Sequence, residues 1–143
     1  NFPLKIELIK KICKKNKIFL IEDAAEVIGL DYKKKKCGYY GDVSIFSFYS
    51  NKQITTGEGG MICTNNHEFY QVCRALRSHG MVREMTDSDM KEEIIEQNPD
   101  LNSDFIFLRP SHNFRSTEIN AVIGLSQLPK LDEKNQQRYF SQL

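Results

Sequence analysis

The sequence predicts an α/β fold. Three observations carry that expectation. "PLKIELIKKICKKN", residues 3–16, has apolar Leu4, Ile6, Leu8, Ile9 and Ile12 at helical spacing, with Pro3 at the start as a first-turn proline. "KIFLIED", residues 17–23, follows as a short apolar run ending in acids, the pattern of a buried parallel strand. "VSIFSFY", residues 43–49, then mixes β-branched, aromatic and small residues as a second strand does. Helix followed by strand is half of a repeating βα layer.

The other elements follow in order. "VIGLDYKKKK", from residue 27, reads as an extended piece and a basic turn. "GGMICTN", residues 59–65, is another short strand. "HEFYQVCRALRSHG", residues 67–80, is helical, with Phe69, Val72, Cys73 and Leu76 on one face and Gly80 as its stop. Residues 84–104 are acidic and contain Pro99; they read as an excursion or mobile loop with one helical turn at most. "FIFLRP", residues 105–110, is a candidate short strand. "STEINAVIGLSQLPKLDEKNQQRYF", residues 116–140, is a long amphipathic helix bent at Pro129.

Composition narrows the function classes. The chain has 143 residues, 40% hydrophobic and 27% charged, which suits one soluble domain with a core. A net charge of +1 gives no field of the kind that binds nucleic acid. The runs "KKNK" at 14–17 and "KKKK" at 33–36 read as solvated turns. Cysteines 13, 37, 63 and 73 include no C-x-x-C pair, and histidines 67, 79 and 112 are scattered, so no zinc site is expected. Cys13, Cys63 and Cys73 lie in apolar stretches and read as small core residues rather than disulfide partners. No signal peptide or membrane-spanning apolar run is visible, so the expected location is the cytoplasm. The opening "NFPLK" lacks Met and reads as the start of a piece of a longer chain.

The chemistry concentrates at two strand ends. Asp23 follows an apolar strand directly, and ligands of open α/β sheets collect at the carboxyl ends of strands. Such an acid could bind a ribose hydroxyl, a metal or a protonated ring nitrogen; it could also be a helix N-cap or a surface acid. Ser47 and Lys52 stand at the end of the second strand, and Gly57, Gly59 and Gly60 follow, where positive φ and close backbone approach become possible. A hydroxyl there can donate to phosphate, and an amine can form an imine with an aldehyde. "TTGEGGM" lacks the Gly-Lys-Ser/Thr ending of a P-loop, and no G-x-G-x-x-G opens a helix. An acid, a hydroxyl and a lysine in a glycine-bounded loop match the needs of pyridoxal phosphate: an anion for its ring nitrogen, donors for its phosphate and an amine for its aldehyde.

"IEDAAEVIGLDYKKKKCGYYGDVSIFSFYSNKQITTGEGGMICTNN" closely resembles the DegT/DnrJ/EryC1/StrS family of nucleotide-sugar aminotransferases. "ALRSHGM" and "HNFRSTEINAVIGLSQLPKLDE" resemble the family's later stretches in the same order, with residues 84–104 the weakest part. The resemblance implies a three-layer α/β/α fold, type I of the pyridoxal-phosphate enzymes. Residues 1–143 would form part of its large, cofactor-binding domain, with an N-terminal Gly-Thr segment and a C-terminal small domain absent. It also implies roles. Lys52 would be the catalytic residue and would carry pyridoxal 5'-phosphate on its amine. Asp23 would pair with the pyridine nitrogen, and Ala25 would pack on the ring. Glu26 would lie near the ring hydroxyl, where many members have glutamine and perosamine-synthase-like members have glutamate. Ser47 would bind the phosphate. Asn113 would reach the phosphate of a neighbouring subunit's cofactor in a homodimer with shared sites. Arg115 and Glu118 would shape that segment or support the fold. His79 could face the sugar, although a helix-end cap is the better reading. The related 3-dehydrases carry histidine at the lysine position, so Lys52 implies amino-group transfer, from glutamate to a keto nucleotide-sugar. The rival from another class is a non-catalytic fragment or scaffold that needs a complementary segment.

Overall fold

The computed structural model describes residues 4–140, so Pro3 lies outside the described residues. The chain divides into two compact units, Asn1–Thr64 with Ser116–Leu143, and Asn65–Arg115. The first unit opens with helix α1, Ile6–Lys15, whose last-turn lysines Lys14 and Lys15 suit the negative end of its dipole. Asn16 donates its side-chain amide to the Ile12 carbonyl at 2.8 Å, and Lys17, at φ 55°, reverses the chain. Strand β1, Ile21–Asp23, is shorter than the apolar run that predicts it. Before it, the Leu20 amide donates to the Asp42 carboxylate at 2.8 Å instead of joining a ladder. Strands β2, Asp31–Tyr32, and β3, Lys35–Lys36, form a two-residue hairpin. Its turn residues Lys33 and Lys34 both have positive φ, 48° and 64°, as a twist-matched hairpin turn demands. Only half of the "KKKK" run is therefore turn.

Strand β4, Val43–Ser47, sits between β1 and β5, Gly60–Thr64. It runs parallel to β1, with Asp23 opposite Ile45, and antiparallel to β5, with Ser47 opposite Gly60. β1 is parallel as its sequence predicts, but it is not buried: Ile21 is exposed, as are Met61 and Ile62 on β5. Cys63 is exposed as well, and Cys13 is half-buried, so neither is the core residue its neighbours imply.

The second unit begins with helix α2, His67–Leu76, capped by Asn66, whose side chain accepts from the Phe69 amide at 2.9 Å. The helix ends four residues before Gly80. His79 and Gly80 both take left-handed conformations, at φ 61° and 84°. A side chain at Gly80 would meet the Arg109 carbonyl at 2.2 Å, so close backbone approach requires glycine here. The acidic stretch expected as a loop instead holds helix α3, Ser88–Glu96. Asp87 caps it by accepting from the Met90 amide at 3.0 Å, and Met90, Ile94 and Ile95 pack on a core of Ala75, Val82, Met85 and Ile106. That packing overrides the loop-like composition. "FIFLRP" is not a strand. Phe105 ends a short 3-10 turn, and pairing is limited to a bridge between Met81 and Phe107. Cys73 is half-buried, and burial pushes its thiol pKa up.

The chain then returns to the first unit with helices α4, Glu118–Gln127, and α5, Leu131–Phe140, separated by a 3-10 turn at Leu128–Lys130 that contains Pro129. The break falls where the proline predicts it. Thr117 and Asn120 close a capping box at the start of α4. Among the described residues no helix is long and apolar enough to cross a membrane.

Candidate active site

The carboxyl end of β1 is set by two neighbouring acids. The Ala24 amide donates to the Ile45 carbonyl at 2.9 Å, completing the sheet, and Ala24 is fully buried. Asp23, exposed, accepts from the Ala25 amide at 3.1 Å. The segment beyond it makes two turns, not a helix, so Asp23 is no N-cap. Glu22 carries a role that sequence reasoning misses. Its carboxylate accepts from three backbone amides, Gly38 at 2.6 Å, Tyr40 at 2.9 Å and Gly41 at 3.1 Å. It thereby ties β1 to the loop that feeds β4. The "GYYG" glycines are the only trace of this in the sequence.

At the end of β4, half-buried Ser47 accepts from the Tyr49 amide at 3.3 Å. Its position is two residues beyond the register partner of Asp23, which is about 7 Å along the strand direction. The Lys52 amide donates to the Tyr49 carbonyl at 3.1 Å, a tight turn that brings Lys52 back toward β1. There its ammonium pairs with the Glu26 carboxylate. The Lys52 side chain is 15% exposed and that of Glu26 67%. The neighbouring Gln53 is buried and donates its amide nitrogen to the Glu26 backbone carbonyl.

The glycine loop has a division of labour. Gly57 and Gly59 take positive φ, 81° and 153°. Gly60 keeps φ outside the left-handed region; a side chain there would meet the Phe46 carbonyl of the paired strand at 3.1 Å. Helix α4 brackets this loop with two amide side chains. Gln127 donates to the Thr55 carbonyl at 2.8 Å and accepts from the Thr55 amide at 3.3 Å. Asn120 donates to the Thr56 carbonyl at 2.7 Å. These contacts span more than sixty residues of sequence, and no local pattern announces them.

Asp23, Ala25, Glu26, Ser47 and Lys52 thus share one unit, at the ends of adjacent strands, and Glu26 and Lys52 touch. Asn113 belongs to the other unit. It is exposed, forms a bridge with Ser78 and accepts from the Arg115 amide at 3.0 Å. Arg115 pairs with Glu84, a contact that supports the fold of that unit. Glu118 stands in the first turn of α4. His79 lies beyond the end of α2, its amide donating to the His112 carbonyl at 2.9 Å. It lines a cavity of about 490 Å3 with Phe107, Arg109 and Ser111.

Among the described residues no group of three or more His, Cys, Asp or Glu could hold a metal ion. The Cys37 thiol is pushed up by burial first and by Glu22 and Asp31 next, which disfavours the thiolate a nucleophile needs.

Comparison with known proteins shows the family and the fold. The profile of the DegT/DnrJ/EryC1/StrS aminotransferase family matches residues 3–142. The GDP-perosamine synthase of Caulobacter vibrioides is 40% identical over 125 residues, 87% of this chain and 29% of that protein. The solved structure of Helicobacter pylori PseC, an aminotransferase involved in the biosynthesis of pseudoaminic acid, superposes with a TM-score of 0.71 at 34% identity, over 91% of this chain and 31% of that one. The E. coli GDP-4-keto-6-deoxy-D-mannose-3-dehydratase with bound hydrated PLP gives a TM-score of 0.71 at 31% identity, over 91% of this chain and 33% of that one. The chain spans about a third of the length of each of these relatives. The fold is the type I fold of pyridoxal-phosphate enzymes, present as a partial α/β fragment. By its profile match, its relatives and its fold, the chain belongs to the DegT/DnrJ/EryC1/StrS aminotransferase family.

Proposed function

We propose that residues 1–143 form part of the large domain of a pyridoxal-phosphate-dependent aminotransferase that moves an amino group from glutamate to a keto nucleotide-sugar. The observation that carries this reading is the meeting of Lys52 with Glu26 beside the β1 end that bears Asp23. The donor set fits the cofactor. Lys52 offers the amine, Asp23 an anion for the ring nitrogen, Ser47 a hydroxyl for the phosphate, and Ala25 a methyl for the ring face. When bound, pyridoxal phosphate supplies an aldehyde to capture amines and a ring that stabilises a carbanion. The chain's own residues do the rest. Asp23 would hold a proton on the ring nitrogen through a charge-assisted hydrogen bond. Lys52 would hold the cofactor through its amine and, with that amine free, would move the substrate α-proton as general base. Glu26 holds the Lys52 amine from the β1 side. Glutamate at this position, as in perosamine-synthase-like members, leans the reading toward a perosamine-like 4-amino product.

Asn113 would help hold the cofactor phosphate of a second copy in a homodimer with shared sites, in the cytoplasm. A second reading, a scaffold piece that pairs with a complementary segment, is favoured by one observation: Leu8, Ile12, Ile119, Val122 and Leu125 are exposed apolar residues.

The test is reductive trapping. The protein is incubated with pyridoxal phosphate, reduced with borohydride and mapped by peptide mass. The cofactor mass is expected on the peptide containing Lys52 and is lost in Lys52→Ala. Label spread over exposed lysines in both proteins would reject the enzyme reading and leave the scaffold reading.

A further inference from the structure

The Lys52–Glu26 pair has a second attachment point. Glu26 is a mostly exposed residue on a turn, and such a carboxylate ordinarily swings free. Here its backbone carbonyl is held by the side-chain amide of Gln53, the residue directly after Lys52. Two consecutive side chains of one loop therefore grip the two ends of Glu26, Lys52 its carboxylate and Gln53 its carbonyl. Gln53 is 7% exposed, and its Oε1 finds no hydrogen-bond partner among the described residues. A buried, unsatisfied acceptor is costly. A methionine of similar size would fill the same space without that cost. What the amide adds is its one bond to Glu26.

We propose that Gln53 is a positioning residue for Lys52, acting through Glu26. By pinning the Glu26 backbone it keeps the carboxylate on the Lys52 amine and so sets how readily that amine reacts. This rests on the reading of Lys52 as the reactive amine, but its test does not need the cofactor. The measurement is competitive trace acylation of the whole chain, with Lys52 and the α1 lysine Lys10 quantified by peptide mass. Gln53→Met removes the donor and keeps the volume. It is expected to raise Lys52 labelling relative to Lys10 about threefold, the scale of a partly exposed ion pair. Glu26→Gln should raise it at least as much, and the double variant no further than Glu26→Gln alone.

Unchanged labelling in Gln53→Met, or effects that multiply in the double variant, would overturn the proposal. Should Gln53→Met fail to fold by circular dichroism, Gln53→Leu, which also lacks the donor and adds no charge, replaces it with the same expected rise. Failure of both to fold would mark Gln53 as purely structural and sink the idea. Reductive trapping separates the two readings. Label on Lys52 with insensitive acylation rejects only the role of Gln53, whereas sensitive acylation without label rejects only the cofactor assignment.

Discussion

The two units hold themselves together by different means. Asn65–Arg115 closes around a dry cluster, in which Ala75 and Val82 are fully buried and Met85 and Ile106 nearly so. Its one large buried polar side chain, Gln71, is satisfied by the Thr86 amide at 2.8 Å and the Thr86 hydroxyl at 3.1 Å. The unit bearing Lys52 ties more of its loops down with polar side chains on backbone groups. Glu22 holds Gly38–Gly41, Gln53 holds Glu26, Gln127 holds Thr55, Asn120 holds Thr56, and Asn135 holds the Ile28 carbonyl at 3.1 Å. Apolar burial is non-directional and fills space. Hydrogen bonds are directional and fix where a backbone goes. The lesson is that the unit bearing Lys52 relies more on directional bonds and leaves much apolar surface open.

Substitutions can break that contrast. The largest effect is expected for Ile106→Ala in the second unit, a loss of about 3 kcal/mol through the cavity it opens. Leu125→Ala on the exposed face of α4 should stay within about 0.5 kcal/mol. Urea unfolding measures both, and equal losses would erase the distinction. The polar ties come next. Gln71→Ala empties a fully buried side-chain site and removes the acceptor of the Thr86 amide, and should cost about 2 kcal/mol, while Gln127→Ala removes a half-buried side chain from the half-buried Thr55 and should cost about 1 kcal/mol. The sharper readout for Gln127 is amide exchange: Thr55 should exchange about fivefold faster with the exchange of Val82 unchanged. Equal acceleration at both amides would mean the bracket is global, not local.

The smallest effect concerns pH. The Met90 amide, and then His67 at 2.6 Å, hold the Asp87 carboxyl below its ordinary 3.8. A carboxyl depressed on folding stabilises fully above the ordinary carboxylate range, and that contribution fades as pH falls through its folded value. Thermal unfolding between pH 6 and pH 3 should therefore cost the wild type more than Asp87→Asn, which caps α3 at either pH. Identical losses would show that the Asp87 charge contributes nothing.

How far the sequence could be read depended on the range of the forces involved. Strands β4 and β5, helix α2 and the break at Pro129 are local matters, visible in composition and spacing. Helix α3 escaped notice because its acidic composition and Pro99 resemble a loop. Its signals were subtle, a cap at Asp87 and apolar Met90, Ile94 and Ile95, and only packing on Ile106 and Val82 makes them decisive. Cys63 and Ile21 looked like core residues, yet exposure depends on what lies across the sheet, which no local window contains. The placement of Asp23, Ser47 and Lys52 at or just beyond adjacent strand ends was legible because apolar runs and glycines mark those ends. The grip of Gln53 on Glu26 and of α4 on Thr55 was not, since each joins residues that sequence separates widely.

By itself, then, the sequence determined which residue types stand at the strand ends and which family pattern they follow, because short-range propensities and glycine requirements are written in neighbouring letters. Only the tertiary structure decided that Lys52 meets Glu26, that Glu22 binds a loop rather than a ligand, and that an acidic run becomes a packed helix. Those outcomes depend on directional bonds and buried surface shared between distant segments, and they exist only once the chain has closed on itself.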